Sequence, residues 1–363
     1  MRSKEAVRFA DFGNAAGAED EEAVRRVLAS GQLVLGEEVR HFENAWAERC
    51  GVHFAVGVAN GLDAIEIGLR SLGIGPGDEV ITTPMTAVAT VLGIVRAGAI
   101  PVLADIEPST ALLSLSSVAR CVTPKTRAIL LVHLYGQMRD LSKWRAFCDD
   151  HELLLLEDCA QSHDAVDEGK VAGSWGVFGA FSFYPTKNLG AVGDGGALVT
   201  NEPALDKAAR SLRNYGQQTR YVHDRVGLNS RLDEVQAAIL SSRLGKLNDW
   251  TDRRRQIAET YRAGIRSDYV ELMSSPLGPE NHVYHLFVVR SAQRAQLQQH
   301  LRDANVETLI HYPIPLHQQP PLRPIRRDPA GLKNAETHAL KALSLPCSPF
   351  LKDDQIDQVV EGV

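Results

Sequence analysis

Residues 153–163 read LLLLEDCAQSH: four leucines in a row, then two acids, then a polar stretch. A run that apolar has no wet face, so it belongs to a strand buried on both sides in the middle of a parallel sheet. Upstream, AILLVHLYG (128–136) has the same character, and residues 141–149 have helical spacing between the two. Further back the alternation continues. HFAVGVA (53–59), VITTP (80–84) and IPVLADI (100–106) read as strands, with helical patterns over 63–71 and 87–97 between them. GIGPGDE (73–79) supplies the Gly/Pro punctuation of a short connection. This beat predicts an α/β fold with a large, mainly parallel sheet and helices on both faces.

Downstream, GAFSFYPTKNLG (179–190) and GDGGALVTN (193–201) read as two short strands around a Gly-rich loop, and one long helical pattern covers 232–265. The rhythm then changes to VYHLFVVR (283–290), a helical 292–303, the Pro-rich HYPIPLHQQPPLRP (311–324) and two more short helices. The expected division is a large domain over 1–250 and a smaller C-terminal α+β domain over 251–363. Two amphipathic helices precede the sheet, over 19–29 and 38–49, the second aligning Val39, Phe42 and Trp46 on one face.

The 363 residues carry 39 basic and 45 acidic side chains, a formal charge of −6, so no basic excess is available to neutralise a nucleic acid. Five scattered cysteines (Cys50, Cys121, Cys148, Cys159, Cys347) form no CxxC pair, which argues against a disulfide framework and a zinc site and suits the cytoplasm. The longest apolar tract, 87–95, falls far short of the ~20 residues a membrane span needs, and no targeting segment is visible.

In open α/β sheets ligands gather at the carboxyl ends of parallel strands. Asp158 ends the four-leucine run and either caps a helix or meets a specific cation. Lys187 sits in a Gly-rich loop, where an amine can meet a ligand or simply face water. ANGLD (59–63) ends a strand and starts a helix through Gly61, the arrangement that suits a phosphate or an ordinary turn. Together an anion cradle, a carboxylate and an amine are the set pyridoxal 5′-phosphate needs, for its phosphate, ring nitrogen and aldehyde.

EDCAQSH (157–163), GAFSFYPTKNLGAVGDGGALVTN (179–201), RNYGQ (213–217) and VGLNSRLDEVQAAIL (226–240) resemble the DegT-type sugar aminotransferases, pyridoxal-phosphate enzymes of the aspartate-aminotransferase-like fold (PLP fold type I). The resemblance implies Lys187 as the amine that holds the cofactor and carries protons, and Asp158 as the partner of the ring nitrogen. It implies Gln161 near the ring hydroxyl, and Gly61, Leu62 and Ser182 at the phosphate. It also implies Asn229 reaching the phosphate of a partner subunit, so that a homodimer shares its active sites. NGLDA (60–64), HLYGQ (133–137) and HYPIPLH (311–317) resemble the subgroup that aminates C3 of a nucleotide-linked (dTDP) 6-deoxy keto sugar with L-glutamate as amino donor. That resemblance implies Tyr184, His311 and Tyr312 beside the sugar nucleotide. Amination at C4 of a nucleotide sugar, amination of a cyclitol ketone, and a non-catalytic cofactor-binding regulator are the competing readings.

Two positions depart from the family. Where relatives put a ring over the cofactor, TTPMTAVAT (82–90) offers Met85, whose thioether can pack on an aromatic face. Asp164 replaces a usual glycine, leaving open whether its charge tunes the substrate or faces solvent.

Overall fold

The computed structural model describes residues 6–10 and 17–363. Helices α1 (Ala18–Ser30) and α2 (Glu37–Cys50) lead into the sheet, and α2 buries Val39, Phe42 and Trp46 as its spacing requires. The strands and helices then alternate: β1 (Phe54–Val58), α3 (Gly61–Ser71), β2 (Glu79–Thr82), α4 (Val88–Arg96), β3 (Ile100–Leu103), α5 (Leu115–Cys121), β4 (Thr126–Val132), α6 (Leu141–Asp150) and β5 (Leu154–Asp158). A two-residue hairpin, β6 (Val166–Asp167) and β7 (Lys170–Val171), precedes β8 (Gly179–Ser182) and β9 (Gly196–Thr200).

The large sheet has eight strands, and β5 lies inside it between β4 and β8, parallel to both. Leu155 and Leu156 face apolar clusters on opposite sides of the sheet, which is why an uninterrupted leucine run is stable there. Each such side chain contributes about 1.5–3 kcal/mol by leaving water. Only β9 breaks the parallel order, running antiparallel to both β1 and β8.

After α7 (Pro203–Leu212) comes an exposed hairpin, β10 (Gln217–Thr219) and β11 (Val222–His223). The helical pattern expected over 232–265 is two helices, α8 (Glu234–Leu244) and α9 (Leu247–Gly264), separated at Gly245 and Lys246. The smaller sheet, β12 (Glu271–Leu272), β13 (Phe287–Arg290) and β15 (Ala342–Leu345), is antiparallel and is covered by α9, α10 (Arg294–Asp303) and α12 (Asp353–Gly362). Residue 250 falls inside α9, and the chain crosses back. Val7 bridges Val306 in the smaller core, while β14 (Arg326–Arg327) pairs in parallel with β3 at the edge of the large sheet. α11 (Lys333–Lys341) follows, packing against the cluster shared by both layers. No helix among the described residues is long and apolar enough to cross a membrane.

His133, Glu157 and Cys159 approach one another in the core with the spacing of metal ligands. The carboxylate is already spent. Glu157 Oε2 pairs with His133 Nε2 at 2.8 Å and accepts the Gly173 N–H at 3.0 Å, while Oε1 accepts the N–H groups of Trp175 and Gly176 at 2.9 and 2.8 Å. Glu157 therefore ties the 173–176 loop to β5.

Candidate active site

Register places Asp158 at the mouth of β5, opposite Val132 of β4 and Ala180 of β8. Its residue surface is 5% exposed. Oδ2 accepts the Thr90 hydroxyl at 2.7 Å, Thr90 in turn meets the Thr86 hydroxyl at 2.8 Å, and Oδ1 accepts the Ala160 N–H at 3.1 Å. No cationic side chain among the described residues lies within salt-bridge distance of it. A buried carboxylate without a cation is costly, so the site lacks one positive group, and a pyridinium N–H is a group of that kind. The two threonines are the functional residues that motif reading passed over. Their i, i+4 spacing in TTPMTAVAT was the available signal.

Lys187 lies in the turn after β8, its N–H donating to the Tyr184 carbonyl at 2.8 Å. The turn is closed by Phe183 N–H on Gly195 O and Ala191 N–H on Phe183 O, both 2.8 Å. Gly190 is required there, since a Cβ would stand 2.5 Å from the Pro185 carbonyl oxygen. Burial lowers the Lys187 ammonium to about 8, and the negative charge of Asp158 pulls the other way. The amine and the acid therefore sense one another. Burial also holds nearby imidazoles neutral, His163 down to about 3 and His311 to about 4, with His285 lowered as well; the Lys187 charge adds to each shift. His163 is enclosed by the rings of Trp46, Phe181 and Phe183.

At the start of α3, Asn60 Oδ1 accepts the Asp63 N–H at 2.9 Å and the Asn60 carbonyl accepts that of Ala64. The N–H groups of Gly61 and Leu62 remain for an anion. Gly61 lies against the last residue of β8: a Cβ on it would stand 2.8 Å from Ser182 Cβ. A Cβ on Gly196 would stand 2.4 Å from the Asn60 carbonyl carbon, so these two glycines let the helix start and the strand end meet. Gly61→Ala should therefore push α3 away from Ser182 and weaken cofactor affinity about tenfold, for an overpacking cost of ~1–3 kcal/mol. Titrating the apoprotein with cofactor measures it, and unchanged affinity would count against the cradle.

Gln161 Oε1 accepts the Tyr135 N–H at 2.6 Å and its Nε2 donates to the Tyr312 hydroxyl at 3.2 Å. The Tyr135 hydroxyl donates to the His311 carbonyl at 2.6 Å and meets His338 Nε2 at 2.8 Å. The loop carrying His311 and Tyr312 is thereby latched over Gln161. Tyr184 is 52% exposed beside the lysine turn. Met85 is fully buried in a cluster with Leu103, Val132, Leu134 and Leu286; those contacts are packing, and they neither require nor display a ring against it. Asn229 is exposed, its backbone bridged to Asn214, outside the group formed by Asp158, Lys187 and Gln161.

Asp164 has a positive φ of 65°, the reason glycine suits that position. Its carboxylate pairs with Arg49 of α2, through Nε at 2.7 Å and Nη2. The departure from the family pattern thus forms an ion pair with α2.

A helix start bearing free N–H groups, an uncompensated buried acid and an amine of lowered basicity fit the phosphate, ring nitrogen and aldehyde of pyridoxal phosphate. The comparisons agree. Residues 14–363 match the model of the DegT/DnrJ/EryC1/StrS aminotransferase family. The chain is 42% identical over 346 residues to the dTDP-3-amino-3,4,6-trideoxy-alpha-D-glucose transaminase of Streptomyces venezuelae, covering 95% of this chain and 91% of that one. It is 44% identical over 345 residues to the erythromycin biosynthesis sensory transduction protein EryC1 of Saccharopolyspora erythraea, covering 94% and 93%. The crystal structure of S. venezuelae DesV superposes with a TM-score of 0.95 at 41% identity, covering 99% of this chain and 98% of that one. The protein belongs to the DegT/DnrJ/EryC1/StrS aminotransferases, a pyridoxal-phosphate-dependent family.

Proposed function

We propose that the protein moves an amino group from an amino acid, L-glutamate, to the C3 ketone of a dTDP-linked keto-6-deoxysugar. The observation that carries the reading is the pairing of a low-basicity Lys187 with a buried Asp158 that has no cation, beside the α3 cradle. Similarity to a transaminase named for a 3-amino dTDP sugar supports the substrate class and the ring position.

When bound, pyridoxal phosphate supplies the carbonyl that carries the amino group and the ring that draws electrons from the substrate carbon. The chain does the rest. Lys187 Nζ, deprotonated in good part near pH 8, takes and returns the substrate proton. Asp158, held by Thr90 and Ala160, would keep its charge against the ring N–H. The N–H groups of Gly61 and Leu62 and the Ser182 hydroxyl would hold the phosphate, Gln161 would meet the ring hydroxyl, and the Met85 thioether would pack against the ring. Tyr184, His311 and Tyr312 receive the sugar nucleotide.

The reading includes a homodimer in the cytoplasm, with Asn229 reaching the partner's phosphate site. Exposed Tyr221, Val222 and Val226 beside it are apolar surface of the sort a second copy covers, and the five cysteines are free and buried. Sedimentation that gave only a monomer would remove this part.

The chemistry is tested by adding L-glutamate to the yellow holoenzyme and following the cofactor's visible band. Loss of the band, then its return on adding a dTDP-3-keto sugar, is the expected result. A band unmoved by any amino donor overturns the transaminase reading and favours the second one, a cofactor-binding regulator, for which the sensory name of EryC1 is the motive. Return of the band with a 4-keto sugar or a cyclitol ketone alone would move the reaction away from C3.

A further inference from the structure

A cavity of about 700 Å³ opens on the small-domain side of Lys187. Lys187, Asn188, His311 and Thr308 line it, whereas Asp158, Ser182 and Gly61 do not. The cavity thus reaches Lys187 from the side away from Asp158 and the α3 start. It is space for a reactant that comes to the same amine.

Arg254 of α9 also lines that cavity. It is only 9% exposed, and among the described residues no carboxylate lies within salt-bridge distance of it. Nη1 donates to the carbonyls of Cys347 at 2.6 Å and Tyr284 at 3.3 Å, and Nε is sealed without a partner. Nη2 has no hydrogen bond among the described residues and is not sealed, which leaves it as the donor free to meet a ligand in the cavity that Arg254 lines. The neighbouring cation differs: Arg243 is neutralised by Asp20 at 2.7 Å. A guanidinium buried without a counter-ion is costly unless an anion completes it. The charges of Arg254 and Lys187 both act on His163 and His285, which puts the two cations in one neighbourhood.

An amino donor must bring its nitrogen to the carbon that Lys187 holds, and an α-amino acid then carries its carboxylate one bond further. The diphosphate of a sugar nucleotide is held away by the whole sugar ring. We propose that Arg254 Nη2 binds a carboxylate of the amino donor, and of the keto acid it becomes, in the cavity beside Lys187. This rests on the transaminase reading and adds the residue that selects the donor class.

The test uses the holoenzyme and two variants, Arg254→Gln and Arg254→Lys, with two readouts. The first is calorimetric titration with glutarate, an unreactive dicarboxylate. The second is the concentration dependence of the single-turnover reaction with L-glutamate, against that with propylamine, which has no carboxylate. Arg254→Gln should weaken glutarate and L-glutamate by about 50-fold, the scale of a lost charge-assisted hydrogen bond, and leave propylamine unchanged. Arg254→Lys keeps the charge without the fork and should lose about fivefold. Wild-type glutamate affinity in Arg254→Gln, or an equal loss for propylamine, overturns the proposal. Should Arg254→Gln fail to fold, unchanged glutarate affinity in Arg254→Lys overturns it. A wild-type enzyme that binds glutarate but turns over no amino acid would defeat the transaminase reading and leave the anion site standing.

Discussion

Lys187→Ala should stop transamination, lowering turnover by about 10⁴-fold, because in the proposed mechanism one side chain both anchors the cofactor and moves the substrate proton. The proposed phosphate cradle at α3 and Ser182 does not include it, so the variant should still take up cofactor, without covalent attachment. Borohydride reduction and peptide mapping of the wild-type protein should place the label on Lys187. Label on another lysine, or an alanine variant with more than a few per cent of wild-type turnover, would defeat the assignment. The amine also sets a pH signature. Below about 8 it is protonated and cannot attack a carbonyl; above that value it is neutral. Covalent uptake of cofactor by the apoprotein should therefore rise with pH about a midpoint near 8 and level off above it. A rise that continued to the ordinary lysine range would show that burial does not lower it.

Asp158→Asn should preserve the shape of the strand mouth and remove the charge. Turnover should fall by about 10²–10³-fold, the usual scale for losing one fixed electrostatic partner of a reacting system. The same substitution makes a second, independent change. The negative charge of Asp158 raises the Lys187 ammonium against the effect of burial, so its removal should move the uptake midpoint below 8. Turnover and midpoint shifting together would tie the two residues to one ring. An unmoved midpoint would mean that the acid and the amine face different spaces.

The residues that face this site are those whose chemistry is local. LLLLEDCAQ announced both a central strand and the acid at its end, and ANGLD announced a helix starting through Gly61 directly after a strand, because in each case adjacent residues carry the whole signal. What stayed hidden depends on partners distant in sequence. The antiparallel direction of β9 follows from its short return past the lysine loop, and the same apolar run would serve a parallel strand. The break between α8 and α9 falls at Gly245 and Lys246, in a stretch whose apolar spacing continues across it. Thr90 reads as an ordinary helix residue until the fold brings β5 alongside, 68 positions later in the chain. Arg254 reads as one basic residue of DRRRQ, and only the cavity distinguishes it from its neighbours.

The chain passes between the two sheets more often than one connection would demand, through Val7, α9 and β14. Arg326–Arg327 are the outermost rung of the larger sheet, so a truncation that removes the last forty residues uncovers the edge of Ile100–Leu103 while also dismantling β15. The smaller layer is thus sewn to the larger one at several points instead of hanging from it. Heat should release both in a single calorimetric transition.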